Sequence, residues 1–229
     1  MKKWLMGLLC AICIVVCLSA GANAAESIPY AVTGGNIYFD KTTGSITGCD
    51  DTVTKADIPA VIEGVSVTHI QYHAFFCCSS LESVTIPDSV IIIAENAFSG
   101  CTDLTSVTIP NSVTSIGSGA FWGCTGLRNV TISDSVTFIG NYVFADCSSL
   151  INITVDSENP FYVSLNGVVF SKDQKTLVIY PTGKKGVYNI PDTVTRIGNG
   201  AFYQCSGLPN VTIPNSVTVI EDLNPLISK

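Results

Sequence analysis

The stretch LTSVTIPNSVTSIGSGAFWGCTG, Leu104 to Gly126, decides the fold, because its neighbours repeat it in register. Leu81 to Asp103 reads LESVTIPDSVIIIAENAFSGCTD, and Leu127 to Ser149 reads LRNVTISDSVTFIGNYVFADCSS. Phe75, Phe98, Phe121 and Phe144 are therefore evenly spaced, and Cys78, Cys101, Cys124 and Cys147 keep step three places behind them. After a much longer gap the pair returns as Phe202 and Cys205. A fixed period of about 20–50 residues marks one short supersecondary unit stacked on itself. Each unit touches only its neighbours, so the product is an elongated solenoid.

Within the unit, Val107 and Ile109 alternate with Ser106 and Thr108, the period of two of a half-buried strand. Pro110-Asn111-Ser112 turns the chain, since proline has no amide to donate. Val113 to Ile116 is a second extended stretch, and Gly117 lets the backbone turn again. Ser118 to Cys124 is too short for a lone helix and predicts a helical or 3₁₀ turn with Phe and Cys pointing inward. The expected fold is a repeat solenoid, mostly β and irregular. Short parallel strands form one face, and turns, 3₁₀ or short helical segments form the other. Phe75, Phe98, Phe121, Phe144, Phe202 and the five cysteines behind them form the expected core ladder.

The pattern L-x-x-V-T-I-P-x-S-V-x-x-I-x-x-x-A-F-x-x-C resembles the BspA-type (Treponema pallidum type) leucine-rich repeats of bacterial and some protist surface proteins. The resemblance runs from about Ile58 to Ile220. It implies an exported protein, often modular, associated with adhesion to host proteins or other cells. The predicted organisation is a secretory leader over 1–24, an N-terminal cap segment over 25–57, leucine-rich repeats over 58–220, and a short uncapped tail over 221–229. Longer variant repeats are expected at about 151–182, where Asn166-Gly167 between extended runs predicts a hairpin. After Val219-Ile220 the A-F-x-x-C half does not recur before Lys229.

The leader rests on Lys2 and Lys3, an apolar run from Trp4 to Leu18, and the small-residue site Ala22-Asn23-Ala24. That run is shorter than the ~20 residues a membrane-spanning helix needs, so no stable span is expected after cleavage. The formal net charge is −7, with no basic cluster, so nucleic acid is not expected as a partner. The localisation expected is secreted or cell surface, and the partner an extracellular protein or glycan.

Seven cysteines follow the leader, an odd number. Stacked coils lie within disulfide reach, but equivalent side chains point the same way, which suits packing better than bridging. The ladder cysteines are therefore expected to be buried thiols, leaving Cys49 and Cys77 as the candidates for reactivity. Among these seven no C-x-x-C pair exists, so neither metal nor cofactor is expected. His69 and His73, in HIQYH, lack the glutamate of a zinc-protease helix, and Cys77 or Cys78 beside them is the one conceivable nucleophile. An enzyme is not expected.

The candidate binding face is the outward row Thr85, Thr108, Thr131, Thr154 and Thr212, with companions Ser83, Ser106, Asn129, Asn152 and Asn210. Such a row suits protein, glycan or, if flat and evenly ruled, an ice or mineral surface. It is equally what strand propensity copied by repetition produces, and a spacer without a ligand remains a further reading. A second column, Ile92, Ser115, Phe138, Arg196 and Val219, offers an alternative apolar patch at Ile92, Phe138 and Val219 if it faces outward. Asn129-Val130-Thr131, Asn152-Ile153-Thr154 and Asn210-Val211-Thr212 fit the N-glycan acceptor pattern, which matters only in a eukaryote.

Overall fold

The computed structural model describes residues 27–221, where every regular element is a short strand and no helix occurs. The expected leader and the tail beyond Glu221 lie outside the described residues. Each coil stacks three segments on those of its neighbours. The first is the V-T-I strand: Ser106–Thr108 pairs in parallel with Asn129–Ile132, which pairs with Asn152–Val155. The second is the short strand ending in isoleucine, where His69–Ile70, Ile92–Ile93, Ser115–Ile116 and Phe138–Ile139 run parallel in one sheet. The third is the turn segment carrying Phe and Cys.

Of the turn, 3₁₀ or short helical forms expected for this segment, the structure has the turn. Amides of Ala120, Trp122 and Cys124 bond to carbonyls three places back, while those of Gly119, Phe121 and Gly123 bond to Asn141, Val143 and Ala145 of the next coil. A 3₁₀-helix would send every amide three places back. Alternation serves the stack instead, satisfying the buried backbone along the solenoid axis. Two of these turns carry a positive φ at their third residue, Gly119 (62°) and Gly123 (70°), where glycine has no Cβ to clash.

Inside the coils the aromatic rings form a column. Phe75 and Phe98 stack at 4.8 Å between centroids, Phe98 and Phe121 at 5.2 Å, and Phe121 and Phe144 at 5.5 Å. All four are buried, as are Cys101, Cys124 and Cys147 beside them. The cysteines do more than fill space. Sγ of Cys101 donates to the Phe75 carbonyl at 3.1 Å, Cys124 to Phe98 at 3.2 Å, and Cys147 to Phe121 at 3.1 Å. A small apolar side chain with a weak donor fits a site that needs both. Burial pushes the thiols of Cys124 and Cys147 well up, and that of Cys205 to about 12.

Cys78 departs from the thiol ladder: it is disulfide-bonded to Cys49, so neither is a free thiol. The parallel-vector argument holds between equivalent positions on successive coils, but Cys49 belongs to the N-terminal cap. There Ser27–Val32, Gly35–Asp40 and Ser45–Cys49 form an antiparallel meander that joins the sheet beside His69–Ile70. Cys49 thus meets the terminal rung from a different element. The meander also closes the first end of the core with Ile37, Phe39 and Ile46, all fully buried.

The long gap before Phe202 is bridged by a second meander, Tyr162–Leu165, Val168–Ser171 and Thr176–Ile179, with the expected hairpin at Asn166-Gly167. Val168 and Val169 point to opposite faces and enter different core clusters, one on either side of this insertion. The ladder nevertheless continues. Tyr180 takes the phenylalanine rung, 5.3 Å from Phe202, and Cys205 Sγ faces its carbonyl at 3.7 Å. Thr182 takes the cysteine rung, its hydroxyl donating to the Phe144 carbonyl at 3.0 Å. Tyr180-Pro181-Thr182 thereby replaces F-x-x-C by a path shorter by a single position.

Candidate functional site

The row of outward threonines is exposed at Thr85, Thr108, Thr131, Thr154 and Thr212. Its companions Ser83, Ser106, Asn129 and Asn210 are exposed too, and Asn152 is half-buried. Thr108, Thr131 and Thr154 are in register on adjacent strands, as are Ser106, Asn129 and Asn152. Thr212 lies apart, paired with Asn189 in a separate two-stranded sheet. Thr85 is also in another sheet, paired with Asp57 and donating its hydroxyl to that carboxylate at 2.7 Å. The row is therefore three rungs long at its centre and interrupted on both sides, not one continuous ruled plane.

Threonines elsewhere on the coils use their hydroxyls internally. Thr137 donates to the carbonyl of Thr114, Thr125 to that of Thr102 and Thr218 to that of Thr195, each one coil back. Among the described residues, Thr108 and Thr131 make no such bond, and Thr154 accepts from Asn152 Nδ2 at 3.1 Å. The two sets differ in repeat position, and the coil geometry adds that the hydroxyls of the second set tie coils together, although Thr137 and Thr218 are exposed as well.

Between Ser83–Thr85 and Ser106–Thr108 the strand ladder is broken. An open cleft of about 690 Å³ lies there, lined by Thr85, Asp88, Thr108, Asn111 and Ser112 with Val84, Ile86, Ile109 and Pro110 beneath. This recess joins two of the candidate threonines.

The second column faces outward: Phe138 is 55% exposed, Val219 is exposed, and Ile92 is half-buried. Ile92 and Phe138 are not neighbours, because both pair with Ser115, which stands between them. Val219 lies beyond the insertion, against Arg196. These three residues form no contiguous apolar patch.

The histidines are engaged in packing. His73 lies between Tyr72 and Phe76, at 3.7 and 4.2 Å between ring centroids, and burial lowers its pKa. His69 Nδ1 pairs with the Thr68 hydroxyl at 2.8 Å. Among the described residues no group of three or more metal-ligating side chains converges, and no helix is long and apolar enough to cross a membrane.

One constellation escaped the sequence reading. Trp122, Tyr142 and Tyr203 meet on the turn side: Trp122 lies 6.0 Å from Tyr142 and 5.6 Å from Tyr203, and the two tyrosines are 5.3 Å apart. The signal existed, since Trp122 and Tyr203 both directly follow the ladder phenylalanine. Their meeting was not legible, because the whole insertion separates them along the chain.

Three solved structures share this architecture. A leucine-rich repeat protein from Eubacterium ventriosum aligns with a TM-score of 0.62 at 22% identity, over 86% of this chain and 62% of that one. One from Bacteroides ovatus aligns at 0.51 and 25% identity, over 88% and 55%. The pneumococcal vaccine antigen PcpA aligns at 0.50 and 18% identity, over 84% and 71%. This chain thus spans less than two thirds of the first two. No curated protein matches it. Six copies of the BspA type leucine-rich repeat region match residues 68–183 and 184–223, more than half the chain. With the coil geometry above, this places the chain in the BspA-type leucine-rich repeat family.

Proposed function

We propose that this chain is an exported scaffold that binds an extracellular protein or glycan through its threonine face. The observation that carries the reading is the outward hydroxyls of Thr108 and Thr131, the first of them lining a cleft, on a stack where other threonines bond the preceding coil. Solenoids present extended surfaces of this kind to partners. Export is supported by the leader-like segment ending at Ala24 and by the Cys49–Cys78 disulfide, a bond that persists in oxidising compartments. The formal charge of −7 speaks for a neutral or basic partner.

The test is a pull-down of the exported chain against extracellular matrix proteins together with a glycan array, comparing the parent with Thr108→Lys. An exposed substitution should change stability by no more than about 0.5 kcal/mol. Binding of the ligand found should fall at least about tenfold, since a desolvated unpaired charge at a contact costs more than about 1.4 kcal/mol. If Thr108→Lys binds like the parent while Phe138→Ser does not, the isoleucine-strand column is the working surface and this reading is wrong.

A further inference from the structure

We propose that the cleft between Ser83–Thr85 and Ser106–Thr108 seats an arginine side chain carried on an extended segment of a partner protein. This assignment rests on the strand-face reading above, since Thr108 belongs to both. The cleft marks a break in the wall. Ser83–Thr85 pairs with Lys55–Asp57 and Ser106–Thr108 with Asn129–Ile132, but no strand ladder joins the two pairs. Its floor shows the consequence: Val84 is half-buried, whereas Val107 and Val130 at the same repeat position are only 4% and 1% exposed. The opening of about 690 Å³ holds a side chain together with the backbone that presents it, and falls in the ~300–1,000 Å³ range of ligand sites.

The rim is made of acceptors. Asp88 supplies a carboxylate that, among the described residues, has neither an ion pair nor a hydrogen bond. Asn111 adds an amide oxygen, and Thr108 its outward hydroxyl. Thr85 gives its proton to Asp57 at 2.7 Å, and Ser112 gives its own to the Val90 carbonyl at 2.6 Å. Both of those oxygens are left able only to accept, so the ligand must bring the donors. An apolar floor under an acceptor rim suits a side chain with a hydrocarbon stem and a donor-only head. Guanidinium has about five N–H donors and no acceptor, and its rigid fork meets several oxygens at once, as the point charge of lysine does not.

Charge points the same way. Among the described residues no Lys, Arg or His lines the cleft. Asp57, behind Thr85, adds a second carboxylate. Lys55 pairs with Ser83, at the end of that strand away from Asp88. A sugar hydroxyl donates to the same rim, but only a cation is drawn by both carboxylates. Asp134 is an internal control: it holds the same repeat position as Asp88, two coils on, and lies outside the cleft.

The experiment titrates the whole exported chain, isotopically labelled, with acetyl-Gly-Arg-Gly-amide and follows the backbone amides by nuclear magnetic resonance. The same peptide with lysine, or with citrulline as the uncharged isostere of arginine, is the comparison. The arginine peptide should give saturable shifts centred on residues 84–88 and 108–112, with Kd on the order of 1–10 mM, the range so small a ligand reaches. Lysine should bind at least about threefold more weakly and citrulline at least about fivefold. Asp88→Asn should weaken the arginine peptide at least about fivefold, while Asp134→Asn titrates like the parent. Should Asp88→Asn disturb amides outside the cleft, Asn111→Lys, which sets a cation in the rim, carries the same expectation. Flat titrations to about 100 mM, equal affinity for the lysine or citrulline peptide, or equal losses in Asp88→Asn and Asp134→Asn would each overturn the assignment. The strand-face reading is judged apart, by capture of a matrix protein or glycan. If Thr108→Lys abolishes that capture while the arginine peptide titrates flat, only the arginine seat falls. If the peptide titrates as expected while Thr108→Lys leaves capture intact, the seat stands and the face reading falls.

Discussion

Removing the Phe121 ring tests the coil-stacking argument most directly. Phe121 is fully buried and lies between two near-parallel partners, Phe98 at 5.2 Å and Phe144 at 5.5 Å. Truncating a buried phenylalanine costs about 3–5 kcal/mol, the upper part where the surroundings cannot collapse into the cavity. Two stacked contacts, each contributing about 0.5–1.5 kcal/mol beyond burial, are lost together. The amides of Phe121 and Gly123 remain pinned to Val143 and Ala145, so the coils cannot slide inward to refill the space. Phe121→Ala should therefore cost about 4–5 kcal/mol, a large fraction of the ~5–15 kcal/mol typical of a folded protein. For a chain of this size that corresponds to a drop in Tm of roughly 10–15 °C. Denaturant and thermal unfolding followed by circular dichroism read both quantities. Phe75→Ala is the internal comparison: at the end of the column, with Phe98 stacked on it, it should cost about 1 kcal/mol less. A Phe121→Ala protein melting within about a degree of the parent would refute the reasoning.

Three further outcomes follow from the ladder. Thr182→Val should destabilise by about 0.5–1.5 kcal/mol by removing the hydroxyl donor of the Phe144 carbonyl, which keeps its bond from the Cys147 amide, and Thr182→Ser should restore most of it; equal stability of the two variants in urea titrations would deny Thr182 the cysteine rung. Cys49→Ser opens a disulfide spanning 29 residues and should cost about 3–4 kcal/mol, with intact-mass and peptide mapping showing the parent's bridge at Cys49–Cys78; a Cys101–Cys124 bridge would contradict the stack. The third concerns alkaline pH. The Cys205 thiol is raised to about 12 in the folded chain, against about 8.5 unfolded, so its contribution is intact below about pH 8.5. Above that, the unfolded state loses its proton first, and stability should fall by up to about 1.4 kcal/mol per pH unit towards pH 12. Cys205→Ala should flatten that part of the stability profile, and an unchanged slope would rule the thiol out as its source.

The recurrence of Leu, Val, Ile, Ala, Phe and Cys at one constant interval determined a stacked coil, its strand positions and its buried ladder without any coordinates. A repeated unit has only one way to bury the same face many times, so periodicity alone specifies the core. The hairpin at Asn166-Gly167 was legible for a similarly local reason: its positive-φ pair, 51° and 81°, is a property of two adjacent residues. Where the repeat breaks, local reasoning stops. The Cys49–Cys78 bond required knowing that the cap meanders back onto the first coil, a long-range pairing that side-chain vectors between equal positions do not describe. Tyr180 and Thr182 bear no resemblance to F-x-x-C, yet they occupy its rungs because a hydroxyl can bond the buried Phe144 carbonyl as a thiol would and a tyrosine ring can continue the column, whatever spacing supplies them. The bonding of the threonines was hidden for the same cause. Thr108 and Thr114 differ in repeat position, but which hydroxyl reaches a carbonyl of the preceding coil depends on the distance between stacked backbones. So does the meeting of Trp122, Tyr142 and Tyr203, which exists only because the insertion removes one outer turn and brings two distant coils together.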